Sequence, residues 1–244
     1  MTLPDFAGNP SHLALWLLGS VLACALTTNT LWLARSLAPL RTTWGSWLWQ
    51  VCRFLFYLGI PYLVLGGWPL GPFQGLLSLQ DMGFVGLDQR WTVGRWLGAA
   101  ATGLGLGSAA FLILILARCQ ANGVPRFPYH PWWAIVIDVA YLEVHWAFYR
   151  AAMTFQFNSL YLEVFAGLGL VYAEWAVSPF WRRGWREESR AAGQWLRAAL
   201  ALVIAVLFLL TENLWICLAV HCSVELAFYS HNRQKAHTPP AVVG

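Results

Sequence analysis

The chain has 244 residues, of which 59% are hydrophobic and 11% charged, and its mean hydropathy is +0.55. A soluble domain carries roughly 25% charged residues, so the composition excludes an ordinary soluble domain. The net charge of +4 rests mainly on loop arginines and reports membrane orientation, not nucleic-acid binding.

Taken in order, the apolar runs predict an all-α, polytopic transmembrane helical bundle of about seven spans, one integral membrane domain over 1–244. The start, MTLPDFAGNPSH, lacks a basic n-region and a cleavage site, so the first run, about 12–34, is expected to remain as a helix. Arg35 and Arg41 follow it. The second span is about 46–67, with Arg53 near its start and Pro61 inside it; lipid-embedded helices tolerate such a proline when neighbours satisfy the freed carbonyl. A Gly/Pro-punctuated loop, 68–95, holds Asp81, Asp88 and Arg90. The third span, about 96–117, opens on GAAATGLGLGSAA, small residues that let a neighbouring helix approach closely. After a loop with Arg118 and Arg126 come the fourth span, about 132–155, and the fifth, about 157–177. A basic loop with Arg182, Arg183, Arg186 and Arg190 leads to a short sixth span, about 195–210. The seventh runs from about 214 to 229, and the tail, 231–244, reads as loose. Arginine falls in alternate loops, which puts the N-terminus outside and the C-terminus in the cytoplasm of a plasma (inner) membrane. The five cysteines, Cys24, Cys52, Cys119, Cys217 and Cys222, have no metal or disulfide spacing and read as small core residues. The 16 tryptophans suit rings at both membrane interfaces.

The fourth span is the central one, because IDVAYLEVHWAFYR carries Asp138, Glu143, His145 and Arg150. Ionisable groups are costly in hydrocarbon and face a protein interior or a water-filled cavity. At about 100° per residue, Asp138 and His145 share one face, while Glu143 and Arg150 share another. Glu163 and Glu174 on the fifth span, and His221 and Glu225 on the last, are the candidate partners. Arg150 reads either as part of a buried salt bridge, with Glu143 or Glu163, or as the organiser of a catalytic carboxylate. His221 and Glu225 are four apart on one helix face, so they read as an internal hydrogen-bonded pair or as a nitrogen and an oxygen presented to one cation. Glu174 reads equally as an interfacial carboxylate near Arg182 and Arg183.

TENLWICLAVHCSVEL, 211–226, resembles the last motif of the CAAX-protease and bacteriocin-processing (CPBP) family, in which a helix bears H-x-x-x-N or Asp. His221 matches the histidine, and Glu225 stands at the Asn/Asp position. HWAFYR resembles the family's E-E-x-x-x-R, with Arg150 at the arginine, but His145 and Trp146 stand where the two glutamates belong. Leu170 to Glu174 is similar to F-x-x-x-H, with Glu174 in place of the histidine. With the glycine-rich segment MGFVGLDQRWTVGRWLGAAATGLGLG, the resemblance covers about 82–229. It implies a polytopic helical protein, and several family members are intramembrane metal-dependent endopeptidases. Carried over residue by residue, it places His145, Glu174, His221 and Glu225 as metal positions, for Zn²⁺ or another divalent cation. It places His145, Glu143 and Arg150 in catalytic roles, with Glu143 replacing the lost glutamate as partner of the arginine.

Two readings of function stand open. One is a divergent intramembrane metallo-endopeptidase acting on a peptide substrate. The other is a catalytically inactive scaffold, chaperone or accessory subunit bound to a membrane-protein partner. Both are embedded in the lipid bilayer, and neither involves nucleic acid. An ion-coupled carrier using the buried charges is a third, without the paired broken helices such a protein shows.

Overall fold

The computed structural model describes residues 10–34, 43–66, 79–84, 91–120, 131–157 and 159–237. Within them the chain is all-helical. The elements are α1 (Pro10–Ala34), α2 (Thr43–Phe54), a π-helical turn (Leu55–Gly59), α3 (Ile60–Gly66), α4 (Val93–Gln120), α5 (Trp132–Phe157), α6 (Leu160–Val177), α7 (Pro179–Arg186), α8 (Glu188–Thr211) and α9 (Leu214–His237). Arg35, Arg41, Asp88, Arg90, Arg126 and the tail from 238 lie outside the described residues, as do the side chains of Arg118, Cys119 and Arg190.

Five helical segments are long and apolar enough to cross a membrane: Ala14–Leu33, Trp47–Val64, Val93–Ile113, Leu160–Val177 and Gly193–Thr211. The apolar part of α9, Leu214–Phe228, is shorter. On α1, Leu18, Leu22, Leu26 and Leu33 are all exposed. Such a stripe facing outward is stable against acyl chains and not against water. The chain is an integral membrane protein.

α5 is surrounded. It packs against α1, the π turn, α3, α6 and α9. Every residue from His145 to Ala152 is buried. That buried stretch can carry charge because protein, not lipid, faces it.

Three local features hold this arrangement. Pro61 has no N–H for the Tyr57 carbonyl, and the chain answers with a π turn in which the Ile60 N–H reaches back to the Leu55 carbonyl. Gly167 lets α6 lie on α5, because a Cβ there would come within 3.0 Å of the Arg150 backbone nitrogen. Gly103 and Gly107 do the same for α4 on α9, where Cβ atoms would meet Ile216 at 2.7 Å and Val220 at 3.0 Å. That close approach is the one the glycine-rich run predicts.

Four expectations change. The basic segment after the fifth span is not a loop. Pro179 occupies the first turn of a short helix, a position where its missing N–H costs nothing, and Arg and Trp residues continue it to Arg186. The sixth span is accordingly longer than its apolar core, beginning at Glu188, and the seventh runs on as helix to His237, into the segment read as loose. Among the cysteines whose side chains are described, all are free and only Cys217 is buried; Cys24, Cys52 and Cys222 are half-buried, on helices that turn part of their surface outward.

Candidate functional site: two buried histidine–carboxylate pairs

The two polar stripes of α5 meet different helices. The Asp138/His145 stripe is covered by the α2–π–α3 rod. Asp138 Oδ1 takes a hydrogen bond from Arg53 Nη2 at 2.6 Å. One turn on, Tyr57 stacks on Tyr141, their ring centres 6.3 Å apart. The rings of Phe56 and Tyr57 lie 4.7 and 5.2 Å from the imidazole of His145. The π turn is what turns both rings onto the histidine.

Behind those rings, His145 Nε2 lies 3.2 Å from Glu174 Oε1 on α6. The Tyr149 hydroxyl donates to the same oxygen. Since that proton is committed, the Tyr149 oxygen accepts from Ser20 Oγ on α1, 2.9 Å away. Ser20, Tyr149, Glu174 and His145 thus join α1, α5 and α6 through one buried hydrogen-bonded chain. Sequence reasoning missed Ser20 and Tyr149. Tyr149 sits four residues after His145 and so on the same helix face, a signal that could have found it.

The second pair belongs to the other stripe. His221 Nδ1 on α9 lies 2.7 Å from Glu143 Oε1, with both side chains almost fully buried. Trp146 stacks on the His221 ring at 5.5 Å. The other edge of the imidazole, Nε2, faces Glu225 Oε1 at 4.0 Å. Glu225 in turn is 3.6 Å from Nε of the half-exposed Arg197 on α8. This row passes from the bundle interior to its surface.

Arg150 lies between α5, α6 and α8. Its guanidinium sits over the Phe208 ring at 4.0 Å, and its Nε and Nη2 have no hydrogen-bond partner. A small cavity lined by Trp146, Gly167, Val171 and Ala205 adjoins it. Glu163 is buried in the first turn of α6.

The structure brings the sequence-derived residues together as two pairs, His145 with Glu174 and His221 with Glu143, and not as one cluster. The cause is helical geometry: Glu143 and His145 are two residues apart, a turn of about 200°, so they point to nearly opposite sides of α5. A zinc site needs three or four donors at about 2.0–2.2 Å around one point. Among the described residues, no three His, Cys, Asp or Glu side chains are grouped so as to hold a metal ion. Even around His221, the two carboxylates lie on opposite edges of the ring and cannot share one cation bound to one ring nitrogen. The donor set His145, Glu174, His221 and Glu225 therefore does not fit a single metal as placed.

The fold and site define an all-helical integral membrane protein with a polar, histidine-bearing interior. Comparison with family models, with curated proteins and with solved structures gives no match to this chain.

Proposed function

We propose that the chain is a CPBP-like membrane protein of about seven spans that acts as a scaffold or accessory subunit, its histidine–carboxylate pairs fixing helix register. The five apolar helices, the central α5 and the apolar part of α9 support that count. The odd number, with arginine in alternate loops, supports an N-terminus outside and a C-terminus in the cytoplasm of the plasma (inner) membrane. The observation that carries the functional reading is the division of the four donors. Each pair is assembled by its own helices: α1, α5 and α6 for one, α5, α8 and α9 for the other. Buried polar pairs of this kind specify which helices meet, and in which register.

The metallo-endopeptidase reading keeps one observation in its favour. Glu143 Oε2 and His145 Nδ1 are buried without hydrogen-bond partners, an acceptor and a ring nitrogen left over for a proton or a ligand. The test is divalent-metal content of the detergent-purified protein, wild type beside His221→Ala, with gel filtration to check the fold. The scaffold reading expects no stoichiometric metal in either. Near-stoichiometric zinc that disappears in the variant would overturn it and put the endopeptidase first.

A further inference from the structure

The far end of α6, the short α7 and the beginning of α8 enclose a cleft of about 580 Å³ that neither histidine pair touches. That volume lies within the roughly 300–1,000 Å³ range of small-ligand pockets. Its walls are Tyr172, Trp175, Trp185 and Trp195, the exposed Leu202 extends it along α8, and Arg182 borders it. Trp185 and Trp195 meet edge to face at 4.3 Å and form one rim. The Tyr172 hydroxyl donates to the Ala198 carbonyl at 2.8 Å, tying α6 to α8 behind the cleft.

The position of this cleft decides its chemistry. α7 joins two helices that are apolar and long enough to span, α6 and α8, so it lies where the chain turns at the membrane surface. It is amphipathic: Pro179 and Gly184 are buried against the bundle, while Arg182, Arg183 and Arg186 are exposed. A helix with arginines on one face and tryptophans beside them is a membrane-interface element. Arg183 is committed, with Nε 2.5 Å from Glu187 Oε1 and its guanidinium 5.7 Å from the Trp32 ring. Arg182 is the arginine turned to the cleft.

We propose that this cleft binds one anionic glycerophospholipid, with the phosphate at Arg182 and an acyl chain laid between the tryptophans toward Leu202. Charge complementarity selects the headgroup, because a guanidinium binds phosphate oxygens bidentately. The apolar walls select a chain over a soluble phosphate. A basic residue near an anionic lipid surface contributes about 1 kcal/mol, which corresponds to about fivefold in affinity. This site is independent of whether the histidine pairs hold a metal.

The test counts bound lipid by native mass spectrometry on the full chain in detergent, with phosphatidylglycerol or phosphatidylcholine added. Wild type is expected to prefer phosphatidylglycerol about fivefold. Arg182→Ala should bring phosphatidylglycerol down to the level of phosphatidylcholine, and Arg182→Lys should keep most of the preference. Ala199→Phe, which narrows the cleft from an exposed position, should weaken both lipids alike. Equal occupancy of the two lipids by wild type, or an unchanged preference in Arg182→Ala, overturns the proposal. So does displacement of the lipid by glycerol 3-phosphate, which would make this a soluble-phosphate site.

Discussion

His221 presents one ring nitrogen to Glu143 at 2.7 Å and the other to Glu225 at 4.0 Å, so a single imidazole links α5, through itself, to a carboxylate on its own helix. Nothing in that row includes His145 or Glu174. Double-mutant cycles should therefore show coupling within pairs and none between them. For Glu143→Gln with His221→Ala, and for His145→Ala with Glu174→Gln, thermal unfolding in detergent should give about 0.6–1.7 kcal/mol of interaction, the usual range for hydrogen bonds between membrane helices. The cross-pair cycle of His145→Ala with His221→Ala should be additive within about 0.5 kcal/mol. Strong cross-pair coupling would mean that something, such as a shared ion, joins the two sites.

The α5–α6 crossing rests on Gly167. An added Cβ would lie 3.0 Å from the Arg150 nitrogen and 3.1 Å from its Cα, and backbone atoms cannot swing aside. Gly167→Ala should cost about 1–3 kcal/mol, as overpacking does. Gly169 has nothing within 4 Å of the same position, so Gly169→Ala should be neutral or stabilising by up to about 1 kcal/mol through helix propensity. Equal melting temperatures for the two variants would refute a tight contact at Gly167.

Tyr149 is the middle of the chain from Ser20 to Glu174. Tyr149→Phe keeps the ring but removes the donor to a buried carboxylate, and should cost about 1–3 kcal/mol. Ser20→Ala leaves the Tyr149–Glu174 bond in place and should cost less than half as much. If Ser20→Ala proved the more damaging, the hydroxyl chain would run in a different order.

Much of this was legible in the sequence. Hydropathy and length placed α1, α4 and α5 within a few residues, because a membrane span must be long and apolar whatever it packs against. Periodicity placed Asp138 with His145 and Glu143 with Arg150, because a helix fixes which side chains share a face. Periodicity does not name the helix that covers a face. Hence the Arg53–Asp138 bond, between residues 85 apart, was not foreseen. Nor was it foreseen that His145 takes Glu174 while His221 takes Glu143. The α7 helix was misread because arginines lower hydropathy without opposing helix. A motif alignment puts His145, Glu174, His221 and Glu225 in one set; the roughly 200° between Glu143 and His145 sends their partners to different sides.

Arg150 tests whether its charge is needed. Its Nε and Nη2 lack partners, and Phe208 covers the guanidinium at 4.0 Å. A buried charge without an ion-pair partner carries a desolvation cost of several kcal/mol that an apolar side chain of similar length does not. Arg150→Met should therefore leave the melting temperature equal or higher. A loss of about 3 kcal/mol or more, the cost of stranding a buried counter-charge, would instead reveal an ion pair with a carboxylate.

The register of α9, and with it the placing of His221, is set two turns earlier. Gly83 adopts φ +85°, and its carbonyl accepts the Leu214 N–H at 2.9 Å. Beside it, Glu212 closes α8 in the left-handed region, and Asn213 Oδ1 accepts the N–H groups of Trp215 and Ile216 at 2.9 and 3.2 Å. Met82, next to Gly83, is fully buried. Gly83→Ala would place a Cβ 2.5 Å from Phe208 Cε2 in a backbone conformation that costs L-residues about 1–2 kcal/mol even without a clash. The turn would have to move, and α9 with it. Gly83→Ala should lower stability by more than about 2 kcal/mol and also shrink the Glu143–His221 coupling measured in its background, whereas Asn213→Ala, which removes only the cap, should cost about 1 kcal/mol and leave that coupling intact. Undiminished coupling in Gly83→Ala would show that His221 is positioned by packing within the bundle and not by the turn that starts its helix.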